Sequence, residues 1–356
     1  MSTQVQFPVR SGFYKTLRQR VRSELEQAGL SERDAWQMYA KTAFIVTLAT
    51  VSYIQLVFVA STLTEALIWG FLLAQSHVMI GFDVMHDGGH GAYSRHRWVN
   101  AFMGHLLDLI GGNQRLWHFK HNIRHHTYTN IDGLDEDLET GGILRLSPGQ
   151  PRKWWHRAQA WYAFPVYALL SLYWVFFSDF KEYLTRRVGQ LPIDPPTMKD
   201  RLIFWGGKAF YFGYALVLPS FFHPFTHVLA AFVGIHVVLG FSLALVFQLA
   251  HTVEETDFPE PDAGAMPDEW AVHQLRTTAD FARHNPLVSF YVGGLNFQVE
   301  HHLFSKICHV RYPRISRVVK ETCQEYGVPY HESPSVLAAI RSHLRFLHTL
   351  GQPERA

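Results

Sequence analysis

Four stretches of the chain stay apolar for about 20 residues at a time, the length that crosses a hydrocarbon core of ~30 Å as a helix. They are residues 40–60, 63–84, 202–222 and 228–250. No Lys or Arg occurs in 42–94 or in 209–275, so the stretches fall into two pairs. Each pair is read as a helical hairpin, with turns at 61–64 and 219–226. Basic residues gather at the opposite ends: Arg10, Lys15, Arg18, Arg20 and Arg22 before the first stretch, and Arg115, Lys120, Arg124, Arg152, Lys153 and Arg157 between the pairs. Positive loops stay on the cytoplasmic side, which predicts cytoplasmic termini and a cytoplasmic central region. The start lacks the short apolar core and small-residue cleavage site of a signal peptide, so the first span is expected to be retained. Residues 99–112 are too short to span, and 158–177 are rich in Trp and Tyr and flanked by basic residues. The first is read as an interfacial or buried helix and the second as an interfacial one. The predicted fold class is thus an all-α integral membrane domain of four transmembrane helices with interfacial helices, under a cytoplasmic cap.

Composition supports this reading. Charged residues make up 17% of the 356, below the roughly 25% of soluble domains, while 48% are hydrophobic and 15% aromatic. That excludes a disordered chain and a coiled coil. The mean hydropathy of -0.03 averages apolar runs with a polar remainder. Lys and Arg total 32 against 30 Asp and Glu, too even a balance for a nucleic-acid binder. Two cysteines, Cys308 and Cys323, are too few for a disulfide framework or an iron–sulfur cluster.

Histidine is the outlier, at 22 copies. Eight stand in four clusters: HDGGH (His86, His90), HNIRHH (His121, His125, His126), QLAH (His251) and QVEHH (His301, His302). Helical positions four apart share a face, so His86 with His90, and His121 with His125, each present two imidazoles to one locus. Gln298, His301 and His302 share a face in the same way. His126 lies about 100° round a 3.6-residue helix from His125, a position suited to a second, neighbouring ion. Eight imidazoles exceed the four ligands of one tetrahedral zinc, so a dimetal site is implied. Imidazole suits Zn, Cu, Fe and Ni alike. Asp87, Asp135, Asp137, Asn296, Gln298 and Glu300 are candidate extra ligands, or acceptors that fix a histidine tautomer. The scattered histidines, His77, His227 and His236 among them, are read as structural. Trp69, Phe71, Tyr211 and Phe212 are candidate lining of an apolar substrate tunnel.

HDGGH, HNIRHH followed by TYTN, and GLNFQVEHHLF together resemble the membrane fatty acid desaturase family, and the likeness covers nearly the whole chain. The resemblance implies four spans under a cytoplasmic cap holding two irons, with O2 as co-substrate. Carried over by motif, the ligands are His86, His90, His121, His125, His126, His251, His301 and His302. Residues 39–310 are then the catalytic membrane domain, 1–38 a cytoplasmic N-terminal segment and 311–356 a cytoplasmic C-terminal cap. Gln298 stands where many members have His, a pattern similar to desaturases that work on the carboxyl side of existing double bonds. Those usually carry a fused haem domain with HPGG, and no HPGG occurs here. The implied activity is desaturation of a fatty acyl chain, on acyl-CoA or acyl-lipid. The alternatives are a desaturase-like decarboxylase that makes terminal 1-alkenes from free medium-chain fatty acids, a fatty acyl hydroxylase, and a non-enzymatic lipid- or metal-binding membrane protein. The chain shows no haem, iron–sulfur or nucleotide motif, so a separate ferredoxin-type or cytochrome-type electron donor is expected. Arg311, Arg314, Arg317 and Lys320 are either its docking surface or a solvated charge run.

Overall fold

The computed structural model describes residues 5–8, 12–189 and 191–353; Arg10 lies outside them. Among these, four helices are long and apolar enough to cross a membrane: Trp36–Val59, Leu63–His90, Met198–Phe221 and Phe225–His251. All four expected stretches are present. Two run further than hydropathy alone predicts, the second to His90 and the fourth to His251. HDGGH and QLAH are therefore the last turns of spanning helices rather than parts of the loops that follow, which fixes their histidines on continuous backbone.

Phe44, Val51, Phe58, Leu67, Phe71 and Phe210 point outward, as lipid-facing side chains do, because lipid gives them no reason to be covered. Phe71, expected in a tunnel wall, is thus on the outer surface. Tyr211 is buried, and Trp69 and Phe212 are partly so. Two of the span starts are capped. Thr62 accepts from the Glu65 amide at 3.2 Å while Glu65 accepts from the Thr62 amide at 3.1 Å. Thr197 and Asp200 repeat the arrangement at 3.2 and 2.8 Å. These pairs satisfy amides that have no partner inside a helix. Residues 99–112 form two short helices, Arg97–Gly104 and Leu106–Leu109, and 158–177 belong to a helix pair bent by 66°, Trp154–Tyr167 with Leu170–Thr185. Two small two-stranded ladders qualify the all-helical expectation: Arg187–Val188 with Leu191–Pro192, and Ala279–Phe281 with His331–Ser333.

The chain divides into two compact units. One comprises Asp34–Phe119 and Phe164–Leu245. Within it the Trp36–Ile54 and Leu63–Met79 helices pack on each other. Several of its buried polar groups are paired, as an apolar surrounding favours. Lys41 meets Asp83. Lys208 donates to Asp179 at 2.7 Å and to the Gly111 carbonyl at 2.7 Å. His236 sits between Tyr211 (2.6 Å) and Ser171 (2.9 Å).

The other unit comprises Met1–Arg33, Lys120–Ala163 and Val246–Ala356. Phe13, Leu17, Val21 and Leu25 recur every four residues along the Phe13–Gln27 helix and make one apolar stripe. That stripe shares a core with Val299 and Leu303 of Gln298–Leu303 and with Tyr312, Ile315 and Val319 of Tyr312–Tyr326. The Phe13–Gln27 and Tyr312–Tyr326 helices thereby pack in one core with the helix that carries QVEHH.

Candidate metal centre

In the unit comprising Asp34–Phe119 and Phe164–Leu245, His86 and His90 lie one above the other on His86–His90, ring centroids 4.7 Å apart. Trp117 touches both, at 5.7 and 5.6 Å. The two glycines between them explain how this is possible. A Cβ on Gly89 would stand 2.3 Å from the Trp117 ring, and one on Gly88 would stand 2.6 Å from the Gly104 amide. Only hydrogen fits at either place, since real side-chain carbons do not approach so closely. Asp87 is buried in the same turn.

The remaining six histidines come together in the other unit. HNIRHH is not on a regular α-helix: His118–His125 is a π-helix, whose wider turn closes i to i+5 hydrogen bonds. His121 therefore neighbours both His125 and His126, with ring centroids at 5.3 and 4.7 Å. His126 Nε2 lies 3.2 Å from His121 Nε2. His125, His251 and His302 form one trio and His126, His301 and His302 another, in each of which the ligand nitrogens lie within 4.8 Å of one another. All six imidazoles are buried.

Their orientation comes from the nitrogen that faces away from the cluster. His125 Nδ1 donates to Asp135 at 3.1 Å, with Asp137 at 3.3 Å. His251 Nδ1 donates to the Thr277 carbonyl at 3.2 Å and His302 Nδ1 to Gln274 Oε1 at 2.7 Å. His301 Nδ1 and the Tyr312 hydroxyl lie 3.3 Å apart. A proton held on Nδ1 leaves the Nε2 lone pair for a cation, the arrangement usual around metal-binding histidines. Burial alone would lower the His125 pKa, but Asp135 and Asp137 outweigh it and push the imidazole up to about 9. The carboxylates thus favour positive charge at this point.

The donor set suits a first-row transition ion: clustered imidazole nitrogens with no thiolate. Gln298 adds an independent sign. Its Nε2 lies 2.9 Å from His251 Nε2, and its Oε1 is buried with no hydrogen-bond partner, so half a turn of the amide would aim an oxygen at an ion held by His251. Other candidates are turned elsewhere. Glu300 is buried against Asp280 and Tyr330, accepting from the Tyr330 hydroxyl at 3.0 Å. Asn296 donates to Ser289 Oγ at 3.0 Å. The basic run is occupied within the chain: Arg314 pairs with Glu24 at 2.9 Å, Lys320 with Glu332, and Arg317 with Glu321 at 3.7 Å, while Arg311 donates to the Ser31 carbonyl at 3.0 Å. Sequence reasoning misses Gln274, Thr277 and Tyr312 as histidine partners. They belong to no histidine motif, and one of them acts through its backbone.

The fatty acid desaturase family model matches residues 61–334. The sn-1 linoleoyl-lipid 6-desaturase of Arthrospira platensis is 36% identical over 348 residues, covering 97% of this chain and 94% of the relative. The enzyme of the same name from Synechocystis sp. is 35% identical over 351 residues, covering 98% of each. An acyl-lipid (8-3)-desaturase of Physcomitrium patens is 34% identical over 346 residues, covering 96% of this chain and 72% of the relative.

Proposed function

This chain belongs to the fatty acid desaturase family and is a membrane oxidoreductase of fatty acyl chains, and from that premise we propose that it uses two irons and O2 to place a double bond in a lipid-bound, already unsaturated chain. The observation that carries the metal reading is the convergence of six buried imidazoles, four of them held through Nδ1. The proposed ligands are His121, His125, His126, His251, His301 and His302, joined by His86 and His90 on the strength of their motif. Gln298 is a further donor through its oxygen. Bound there, iron would activate O2, which takes two hydrogens from adjacent saturated carbons together with two electrons and two protons from elsewhere, leaving an alkene and two waters.

The protein's own part is to hold and to exclude. Asp135, Gln274 and the Thr277 carbonyl keep their histidines protonated on Nδ1. Burial of all six rings keeps bulk water from the reacting carbons. Position along the chain is then set by how the acyl group lies against the site. The two electrons come from a separate ferredoxin-type or cytochrome-type donor. In this reading both termini and the metal centre face the cytoplasm and the spans form two hairpins, which the charge asymmetry of the loops supports.

The substrate proposal rests on the two near-full-length relatives, both named for linoleoyl-lipid. Both relatives are named as 6-desaturases, and the bond position proposed for this chain follows theirs. The test is expression in a host supplied with linoleate, with lipid classes separated before gas chromatography and mass spectrometry, beside a His125→Ala variant. A new double bond in lipid-bound chains, nearer the carboxyl than the existing ones and absent from the variant, is expected. An odd-carbon terminal alkene would instead establish the decarboxylase, and a product confined to acyl-CoA would overturn the carrier.

A further inference from the structure

One short helix, Trp270–Thr277, reaches three of the histidine segments, although it carries no histidine of the clusters. Trp270 Nε1 donates to the His126 carbonyl at 3.0 Å, and His273 Nε2 lies 2.9 Å from the Thr129 carbonyl. The Thr277 carbonyl accepts from His251 Nδ1. Gln274, wholly buried, accepts from His302 Nδ1 at 2.7 Å and lies 2.9 Å from Thr129 Oγ1, which itself meets the His125 carbonyl at 2.6 Å. His302 occurs in both trios, and with Nδ1 donated to Gln274 its one free lone pair, on Nε2, goes to a single ion, so whatever aims His302 decides where that ion is held.

We propose that Gln274 is a positioning residue for the metal centre: its amide oxygen fixes the tautomer and tilt of His302 and, through Thr129, ties that ring to the HNIRHH segment. The choice of an amide has a chemical consequence. His125 is backed by carboxylate, His251 by a peptide carbonyl and His302 by a neutral amide, so His302 is the weaker donor beside His125. The inference rests on the metal-centre reading above and adds a residue outside every histidine motif.

Wild type, Gln274→Leu and Gln274→Glu are purified in detergent, loaded with 57Fe, and compared by iron content, iron affinity and Mössbauer spectra, with helix content and monodispersity as fold controls. Leu keeps the bulk and removes the acceptor, and a roughly 10- to 100-fold loss of iron affinity is expected. Glu keeps the acceptor and strengthens it. It is expected to restore the iron content and to change the quadrupole splitting, a signature that a merely structural residue would leave alone. Wild-type affinity and spectrum in Gln274→Leu, or a Gln274→Glu protein that is folded but as iron-poor as Gln274→Leu, would overturn the role of Gln274. A wild type that binds no iron would instead bring down the metal-centre reading, and this inference with it.

Discussion

His125 and Gly89 show two different ways in which a single residue constrains this site. His125 lies between two kinds of neighbour, with Asp135 and Asp137 on Nδ1 and the rings of His251 and His302 on the other side. Asp135 is buried and also accepts from the Asn130 amide at 2.9 Å, whereas Asp137 is exposed. Asp135→Asn is therefore expected to lower iron affinity by about 10- to 100-fold and Asp137→Asn by much less, as measured by iron titration of the purified proteins. Equal effects would mean that both carboxylates hold the ring. Gly89 acts by absence. Gly89→Ala forces a methyl against Trp117 and should cost about 1–3 kcal/mol, the usual range for overpacking. Pairing it with Trp117→Leu should recover part of that loss, a coupling that denaturation of both single variants and the double variant would reveal. At this scale the sequence is half legible. The histidines declare themselves because they come in local groups at helical spacing. Gln274 and the Thr277 carbonyl do not, because a hydrogen-bond acceptor for Nδ1 has no required residue type and lies 25 or more positions from the ring it serves.

Helices show the same division. The apolar stretches are readable from hydropathy because each must shed about 20 residues' worth of polar contact to sit in lipid. Where each helix ends is less readable, since HDGGH and QLAH are polar yet continue the spans. The π turn at His118–His125 leaves no mark in composition, and it is what places His126 beside His121. The terminal segments are legible in the sequence only as basic stretches expected on the cytoplasmic side. Their packing role comes from the stripe Phe13, Leu17, Val21 and Leu25, which shares its core with Val299 and Leu303. Leu17→Ala should open a cavity worth about 2–5 kcal/mol. Because the stripe backs the Gln298–Leu303 helix, the variant should also lose iron on mild heating at a lower temperature than wild type. Thermal unfolding with iron release followed in parallel measures both. Unfolding that shifts with iron retained to the same temperature would separate the N-terminal helix from the metal centre.

For the molecule as a whole, the proposed topology, argued from loop charge, has the termini and histidines on one side of the bilayer and the turns at 61–64 and 219–226 on the other. Cysteine chemistry makes that assignment directly measurable. The chain has two cysteines, Cys308 and Cys323, and both are buried, so a single introduced thiol is the one that an impermeant maleimide meets in intact cells. Ser61 and Thr226 are exposed in the turns, and Glu26 and Arg317 are exposed on the Phe13–Gln27 and Tyr312–Tyr326 helices. Ser61→Cys and Thr226→Cys are expected to label in intact cells. Glu26→Cys and Arg317→Cys should label only after the membrane is opened. The reasoning is electrostatic: Arg18, Arg20 and Arg22 precede the first span, and the two turns hold no basic residue, so inversion would carry several cations across the bilayer and leave none behind. Labelling of all four positions from outside would mean that the apolar helices do not separate turns from termini. Labelling of Glu26→Cys and Arg317→Cys alone would invert the chain, and would place the histidine segments away from any cytoplasmic source of electrons.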